Sequence, residues 1–322
     1  MKRTILLLAV VVVAACLGAE DVKRPEKTVD AAETTELKSA ESKGVKGAKE
    51  AAHKPLGKDW EIPEDKSRFH VFLLMGQSNM AGGLKPRHKG YLLEEDKIPV
   101  PHILMIPGFK NLPRPFWKPA AHPLHLRGGR GCGFGLGLPF AKRYLENNPG
   151  VTVGLIPLAR GGHSIGRLNK GTKIYEDGIL KSKFAAQFGT IKGVLWHQGE
   201  SDRSDRGSRA YEGKLHALIA DLRKDLGVKD LPFIVGDLGG FTKPNPEGIV
   251  RVRGILRSLP KKVPHTGFVE SAGLKQSSRA HFTRESYLEF GHRYCDVLLK
   301  VMGNSSGSAN KLSPKRSEAQ SP

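Results

Sequence analysis

The sequence predicts an α/β protein built on a parallel β-sheet with helices on both faces. Short apolar runs of strand length alternate with longer segments of helical pattern between positions 61 and 302. This alternation is typical of βαβ units, in which each helix crosses the sheet between two parallel strands. Because 39% of the residues are hydrophobic, the chain can bury a sizeable core, which excludes a wholly disordered protein.

The chain begins with a segment that predicts export. Lys2 and Arg3 precede an apolar run over residues 4–15, which is shorter than the roughly twenty residues of a membrane span. The sequence ending at Cys16 resembles a bacterial lipobox, in which the cysteine is lipidated, and cleavage near Ala19 is the alternative. Either route predicts a location in the periplasm, at the outer membrane or outside the cell. A lipid anchor at Cys16 would be the only membrane contact.

Composition divides the rest of the chain into three parts. Residues 20–60 are rich in Lys, Glu and Ala, so we expect a disordered tether after a signal peptide at 1–19. Residues 61–302 predict a single domain, and residues 303–322 predict a disordered tail. The formal net charge of +20 arises mostly within the domain and favours anionic partners.

Five apolar runs predict the strands of the sheet. In chain order they cover residues 69–75, 151–159, 191–196, 231–237 and 266–270. Four segments of helical pattern accompany them, at residues 138–147, 208–226, 247–259 and 284–302. Ligands of parallel sheets bind beyond the carboxyl ends of the strands, so we expect the chemistry in the residues that follow each strand.

The first two strands lead into turns that can carry a reaction. Ser78 follows the first strand in Gly-Gln-Ser-Asn-Met, and a serine on such a strand-to-helix turn exposes its hydroxyl. The alternative role for Ser78 is a helix cap. Arg160, Gly161 and Gly162 follow the second strand. Paired glycines allow a backbone N–H to approach a substrate oxygen closely, although they also occur in plain turns.

Two further polar segments lie later in the chain. The third strand ends in His197, Gln198, Gly199 and Glu200. A glutamine amide can donate to an oxyanion and a glutamate can orient a histidine, whereas a polar network that fixes the next loop is the alternative. His281 lies just before the last helix and fits a general base, although a single surface histidine commonly has no role.

In this order, the four segments resemble the sialate O-acetylesterase-like carbohydrate esterases. These belong to the wider SGNH (GDSL-like) hydrolases and include acetylxylan esterases. The resemblance covers about residues 69–300, and Gly-Leu-Gly-Leu-Pro-Phe-Ala-Lys at 135–142 also matches a feature of the family. It implies a flavodoxin-like three-layer sandwich and an exported serine esterase that removes O-acetyl groups from carbohydrate with no metal or cofactor.

The resemblance also implies a role for individual residues. Ser78 is the expected nucleophile and His281 the expected general base, which takes the proton of the serine. The expected oxyanion donors are the backbone N–H of Ser78, a glycine N–H from Gly161 or Gly162, and the side chain of Gln198. The expected substrate contacts are Gln77, Asn79, Arg160 and His197.

One position departs from the wider superfamily, which places an aspartate three residues before the histidine. Ser278 occupies that position, and a serine cannot stabilise an imidazolium by charge. The group of carbohydrate esterases that this sequence resembles uses the glutamate of His-Gln-Gly-Glu as the acid, so the resemblance implies that Glu200 orients His281. The alternatives are a Ser-His dyad or a loss of activity that leaves a glycan-binding surface protein.

The sequence also bears on partners and on disulfides. Four basic residues near the second strand end could face an acidic glycan, or form a solvated surface: Arg160, Arg167, Lys170 and Lys173. Nucleic-acid binding is not predicted, because the chain has no motif of interleaved aromatic and basic residues. Three cysteines are too few for a disulfide scaffold or a zinc ribbon, although Cys132 and Cys295 could pair after export.

Overall fold

The computed structural model of the protein describes residues 57–84, 91–108, 114–125, 132–239, 246–278 and 280–309. The predicted signal peptide, the lipobox at Cys16 and most of the predicted tether therefore lie outside the described residues. Ordered structure begins before the predicted boundary at 61, because a 3₁₀ turn covers Lys58–Trp60. The Trp60 indole N–H donates to the carbonyl oxygen of Val100 at 2.9 Å, which attaches this turn to the domain.

The centre of the fold is a mostly parallel sheet of seven strands within the described residues. In chain order the strands are β1 Phe69–Gly76, β2 Ile103–Met105, β3 Lys118–Pro119, β4 Thr152–Pro157, β5 Thr190–His197, β6 Phe233–Gly236 and β7 Thr266–Val269. Their order across the sheet is β3-β2-β4-β1-β5-β6-β7, and β3 is the antiparallel strand at one edge. Since β1 pairs in parallel with both β4 and β5, the segments that follow these three strands lie side by side.

Helices cover both faces of the sheet and confirm the predicted three-layer α/β class. They are α1 Ser78–Ala81, α2 Gly137–Asn147, α3 Lys173–Ala185, α4 Asp205–Leu226, α5 Glu247–Lys262 and α6 Arg284–Ala309. Residues of α2 and α6 pack on one face, and residues of α3, α4 and α5 pack on the other. Among the described residues, no helix combines the length and apolar character that crossing a membrane requires.

The central strand shows why its sequence reads as a continuous apolar run. Val71, Leu73 and Met75 point into the core beneath α3, α4 and α5, whereas Phe72 and Leu74 point into the core beneath α2 and α6. Side chains alternate between the two faces of a strand, so a strand covered on both sides needs apolar residues at every position. All five of these side chains are buried.

Three elements are absent from the sequence prediction. Strands β2 and β3 span three and two residues, too few to give an apolar run. Helix α3 carries Gly178 in its interior, and glycine disfavours helices and normally indicates a loop. Here an added Cβ would lie 2.9 Å from Leu158, so the glycine serves close packing of α3 on the sheet.

The structure also corrects two further expectations. The last helix continues to Ala309, seven residues past the predicted end of the domain at 302. Cys295 is buried, and no disulfide joins it to Cys132 in the described structure.

Candidate active site

Ser78 stands on a turn that is pressed against the neighbouring strand. The backbone N–H of Gln77 donates to the carbonyl oxygen of His197 at 2.9 Å. Gly76 has a φ of +139°, and a Cβ built on it would lie 2.1 Å from the same oxygen, so a larger residue does not fit. The turn therefore places Ser78 at the first position of α1, directly beyond the carboxyl end of the central strand.

The structure brings the predicted nucleophile and base together across 203 positions of sequence. His281 Nε2 lies 3.0 Å from Ser78 Oγ, and His281 Nδ1 lies 3.2 Å from Ser278 Oγ. When the Ser78 hydroxyl donates to Nε2, the ring proton sits on Nδ1 and donates to Ser278. Gly83 packs beside this imidazole, since a Cβ there would lie 2.3 Å from His281 Cδ2.

Glu200 does not take the position predicted for the acid. Its Oε1 accepts a hydrogen bond from Asn79 Nδ2 at 2.6 Å, while the polar atom beside His281 Nδ1 is that of Ser278. The prediction that Glu200 orients the His281 ring by direct contact is therefore wrong. The Asn79 amide also donates to the carbonyl oxygen of Ala280 at 2.9 Å, so Glu200 acts on the backbone that precedes His281.

Burial changes the pKa of Glu200 and of its neighbour His197. Burial raises the pKa of Glu200 to about 7, although the hydrogen bond from Asn79 opposes this shift. His197 Nε2 lies 3.7 Å from Glu200 Oε1, but burial lowers the pKa of His197 to about 4. At neutral pH His197 is uncharged, so the two side chains do not form an ion pair.

The glycine loop after β4 reaches Ser78. A Cβ built on Gly161 would lie 3.8 Å from Ser78 Cβ, which places its backbone beside the serine. The N–H of Arg160 donates to the carbonyl oxygen of Gly76 at 2.9 Å and holds the start of the loop to β1. Gly162 has a φ of +73°, and a Cβ built on it would have no neighbour within 4 Å among the described residues. Gly161 is thus the glycine of the pair that lies beside Ser78.

The side chain of Gln198 holds the glycine loop in place through hydrogen bonds. It is fully buried, and its Nε2 donates to Asp202 Oδ2 at 2.6 Å and to the carbonyl oxygen of His163 at 3.0 Å. The same Asp202 oxygen accepts the N–H of Ile165 at 2.9 Å. Because the amide of Gln198 has only two hydrogens, the predicted direct contact with an oxyanion is not formed in this arrangement.

Asp202 is the residue that the sequence interpretation missed. It stands two positions after Glu200 and is 4% exposed, and burial raises its pKa despite the hydrogen bonds from Gln198 and Ile165. A second carboxylate next to a strand end was visible in the sequence. What it bonds to could not be read there, because Ile165 is 37 positions away.

Three of the four predicted substrate contacts offer little surface to a ligand. Asn79 and His197 are 0% exposed and Gln77 is 4% exposed. Asn79 is held by Glu200 and by Tyr287, whose hydroxyl donates to Asn79 Oδ1 at 2.6 Å. The predictions for Asn79 and His197 are corrected to supporting roles. Arg160 is partly exposed, and its contact with substrate stays a prediction.

The predicted basic cluster is smaller than its sequence indicates. Lys170 Nζ pairs with the Asp225 carboxylate at 2.8 Å, which neutralises this charge locally. Arg167 and Lys173 are exposed. The cluster therefore retains two exposed cationic side chains in addition to the partly exposed Arg160.

Comparison with known proteins places this site in a family. The family model of the "Carbohydrate esterase, sialic acid-specific acetylesterase" matches residues 68–300, which include Ser78, the glycine loop, Glu200 and His281. The chain belongs to this family of carbohydrate esterases. It is accordingly an esterase hydrolase whose family acts in the O-deacetylation of carbohydrates.

Individual relatives agree with the family and with the fold. An Arabidopsis thaliana protein, named "Probable carbohydrate esterase", is 34% identical over 235 residues, which are 69% of this chain and 86% of the relative. The X-ray structure of the Arabidopsis protein covers 72% of this chain and 98% of its own, with a TM-score of 0.62 and 30% identity.

Two more distant structures show the same fold. NanS aligns with a TM-score of 0.59 at 17% identity, covering 75% of this chain and 100% of its own. A carbohydrate acetylesterase from Xanthomonas citri aligns with a TM-score of 0.53 at 22% identity, covering 73% of this chain and 57% of its own.

Proposed function

We propose that this chain removes O-acetyl groups from carbohydrate through a covalent acetyl-enzyme on Ser78. The observation that carries the proposal is the 3.0 Å approach of His281 Nε2 to Ser78 Oγ at the carboxyl end of the central strand. A nucleophile within hydrogen-bond reach of a base, which is itself bonded to a third group, is the arrangement of serine hydrolases. Membership of the family supplies the acetylated carbohydrate as the substrate class.

The reaction would proceed in two balanced steps. Ser78 Oγ attacks the acetyl carbonyl carbon while its proton passes to His281 Nε2, and the proton then goes to the departing sugar oxygen as the ester bond breaks. In the second step a water molecule gives its proton to the same nitrogen and attacks the acetyl carbon. Acetate leaves, and Ser78 recovers the proton from His281.

The negative charge on the carbonyl oxygen needs donors close to Ser78. Within this turn, the N–H groups of Met80 and Ala81 donate to the carbonyl oxygen of Gln77. The N–H of Ser78 comes earlier in the chain and takes no part in these two hydrogen bonds. Gly161 faces the same serine from the adjacent loop. We assign the oxyanion to these two backbone N–H groups, with Gln198 as the residue that keeps the glycine loop in place.

An anionic glycan is the finer substrate proposal. Arg160, Arg167 and Lys173 lie on or after the glycine loop and keep charged side chains at least partly exposed. Such charges attract acidic ligands, and their effect weakens as salt is added. A uronate-bearing or sulfated acetylated glycan would therefore have a lower KM than a neutral one at low ionic strength.

Export is proposed from the N-terminal sequence alone. Residues 1–56 lie outside the described residues, so the signal peptide and the lipid at Cys16 remain predictions. The basic start, the short apolar run and the lipobox-like residues support them.

A fluorophosphonate probe tests the mechanism directly. The probe should modify the purified protein at Ser78, as located by peptide mass spectrometry, and Ser78→Ala should abolish both labelling and release of acetate from acetylated glycans. Ser277→Ala is a matched control, because Ser277 bonds only to backbone oxygens of His281 and Phe282 within the described hydrogen bonds. Active enzyme labelled at another residue would refute the assignment. A folded protein that binds acetylated glycans without cleaving them would support the glycan-binding alternative.

A further inference from the structure

A cavity lies between the loop at residues 95–100 and the helices α2 and α6. Its volume is about 220 Å³. A cavity of this size holds several water molecules, so it has room for one sugar ring. The lining residues on which the argument depends are Asp96, Ile98, His122, Phe134, Arg284 and Leu288.

The cavity contains a buried histidine with unused hydrogen-bonding capacity. His122 is 5% exposed, and neither buried ring nitrogen has a hydrogen-bond partner among the described residues. Burial lowers its pKa to about 3, so the ring is neutral and carries one donor and one acceptor. A buried polar group without a partner is costly, and a ligand hydroxyl, which both donates and accepts, can satisfy either one of the two ring nitrogens.

The charges of the remaining lining are balanced and favour a neutral ligand, since Glu95 and Lys142 also line the cavity and have opposite signs. Arg284 and Asp96 form a two-pronged ion pair that cancels their charges, and the Arg284 guanidinium stacks 4.1 Å above the Phe134 ring. Ile98 and Leu288 are 64% and 43% exposed and supply apolar surface at the rim. Hydroxyl-bonding groups inside and apolar surface at the rim match a pyranose, which has polar edges and apolar C–H faces.

The cavity is joined to the catalytic residues by short pieces of chain. Arg284 begins α6 and stands three positions after His281. On the other wall, the N–H of Gly133, next to Phe134, donates to the carbonyl oxygen of Gly82 at 3.0 Å. Gly82 is four positions after Ser78. A glycan with its acetyl group at Ser78 would therefore have the cavity as a neighbouring place for another of its sugar units.

We propose that this cavity binds one neutral pyranose unit of the glycan, separate from the unit that carries the acetyl group. The inference rests on the proposed function for its substrate class, because the substrate is taken to be a glycan. His122 would hydrogen-bond a ring hydroxyl, and Ile98 and Leu288 would cover the apolar face of the sugar.

The test measures sugar binding in a protein that cannot turn over. Calorimetry on Ser78→Ala protein would titrate three neutral tetrasaccharides, composed of xylose, glucose or galactose. At least one should bind, and adding His122→Phe or Leu288→Trp should weaken its binding roughly 5- to 10-fold, which is the range for the loss of about one hydrogen bond or its equivalent in contact. Leu180→Trp is the matched control, since Leu180 is 60% exposed on α3, on the opposite face of the sheet.

Steady-state kinetics on enzyme that retains Ser78 distinguish sugar binding in the cavity from ester hydrolysis at Ser78. Leu288→Trp should raise KM for the acetylated form of the tetrasaccharide that binds, and should leave kcat and the hydrolysis of 4-nitrophenyl acetate unchanged. Leu288 is a rim residue, so this variant decides the question if His122→Phe does not fold.

Two results would overturn the proposal. One is that none of the three tetrasaccharides binds. The other is that the His122→Phe and Leu288→Trp variants bind a tetrasaccharide with the same affinity as the Leu180→Trp control. Tetrasaccharide binding that depends on the cavity, in an enzyme that releases no acetate, would instead refute the proposed esterase function and leave the sugar site standing.

Discussion

The serine beside the His281 imidazole is the feature of this site that most sharply tests the proposed mechanism. Ser278 Oγ lies 3.2 Å from His281 Nδ1, where the wider superfamily has an aspartate. Ser278→Ala removes the acceptor that holds the ring, and Ser278→Asp restores a carboxylate. We expect the first substitution to lower kcat modestly and the second to raise it.

The magnitudes follow from the nature of each bond. A neutral hydrogen bond contributes about 0.5–1.5 kcal/mol, so Ser278→Ala should lower kcat about 2- to 10-fold. A carboxylate beside the imidazolium adds a charge interaction, which would be about 4 kcal/mol at 4 Å for an effective dielectric constant near 20. Ser278 is only half-buried, so solvent screens part of that energy, and we expect Ser278→Asp to raise kcat on the order of tenfold.

The assay is a pH–rate profile of kcat and kcat/KM on an acetylated sugar. A carboxylate favours the protonated imidazole, so Ser278→Asp should also move the acidic limb of the kcat/KM profile to higher pH. Ser277→Ala is the control, because the Ser277 hydroxyl donates to backbone oxygens of the same loop. Equal losses in Ser277→Ala and Ser278→Ala would show that loop stability alone matters. A loss of a thousandfold or more in Ser278→Ala would also refute the neutral-bond argument.

Three further predictions concern the surroundings of the site. Glu200→Gln should lower kcat less than tenfold, because a glutamine oxygen can still accept the Asn79 amide. It should also stabilise the protein at alkaline pH. The native pKa of Glu200 is raised from 4.5 to about 7, so its stabilising contribution is complete below pH 4.5 and is lost as the pH rises through 7, a change of about 3 kcal/mol. Melting temperatures of both proteins from pH 5 to 8.5 would measure this, and parallel curves would contradict it. Gln198→Ala should lower kcat and should also lower the free energy of unfolding by about 1–3 kcal/mol, because Asp202 loses a buried hydrogen-bond partner. An unchanged denaturant unfolding curve would exclude this loop-supporting role. Labelled palmitate should enter the expressed protein and be lost in Cys16→Ser, and incorporation that survives the substitution would rule out that anchor.

The sequence was sufficient to predict the layers of the fold. Strands β1, β4 and β5 are buried on both faces, so each must be largely apolar, and this appears in the sequence as a continuous apolar run. Elements with a weaker pattern were not predictable in this way. The two-residue β3 exists through its pairing with β2, and α3 tolerates Gly178 because the sheet packs against it.

The candidate nucleophile and base could also be predicted, since each stands at a strand end or a helix start in a recognisable string. Their partners could not be predicted. Glu200 and Ser278 were both plausible neighbours of His281. In the structure the Asn79 amide donates to the Glu200 carboxylate and to the carbonyl oxygen of Ala280, so Glu200 bonds to Asn79 and Ser278 is the residue beside the imidazole. Sequence order does not show which of several acceptors a buried amide will meet.

The sequence by itself thus determined which residue types stand at the ends of the central strands, because strand burial and turn chemistry are local properties. Only the tertiary structure decided that Gln198 bonds to Asp202 and the glycine loop, and that Ser278 rather than Glu200 meets the imidazole. Hydrogen bonds are short and directional, so a few ångströms in the placement of separate loops determine which groups pair.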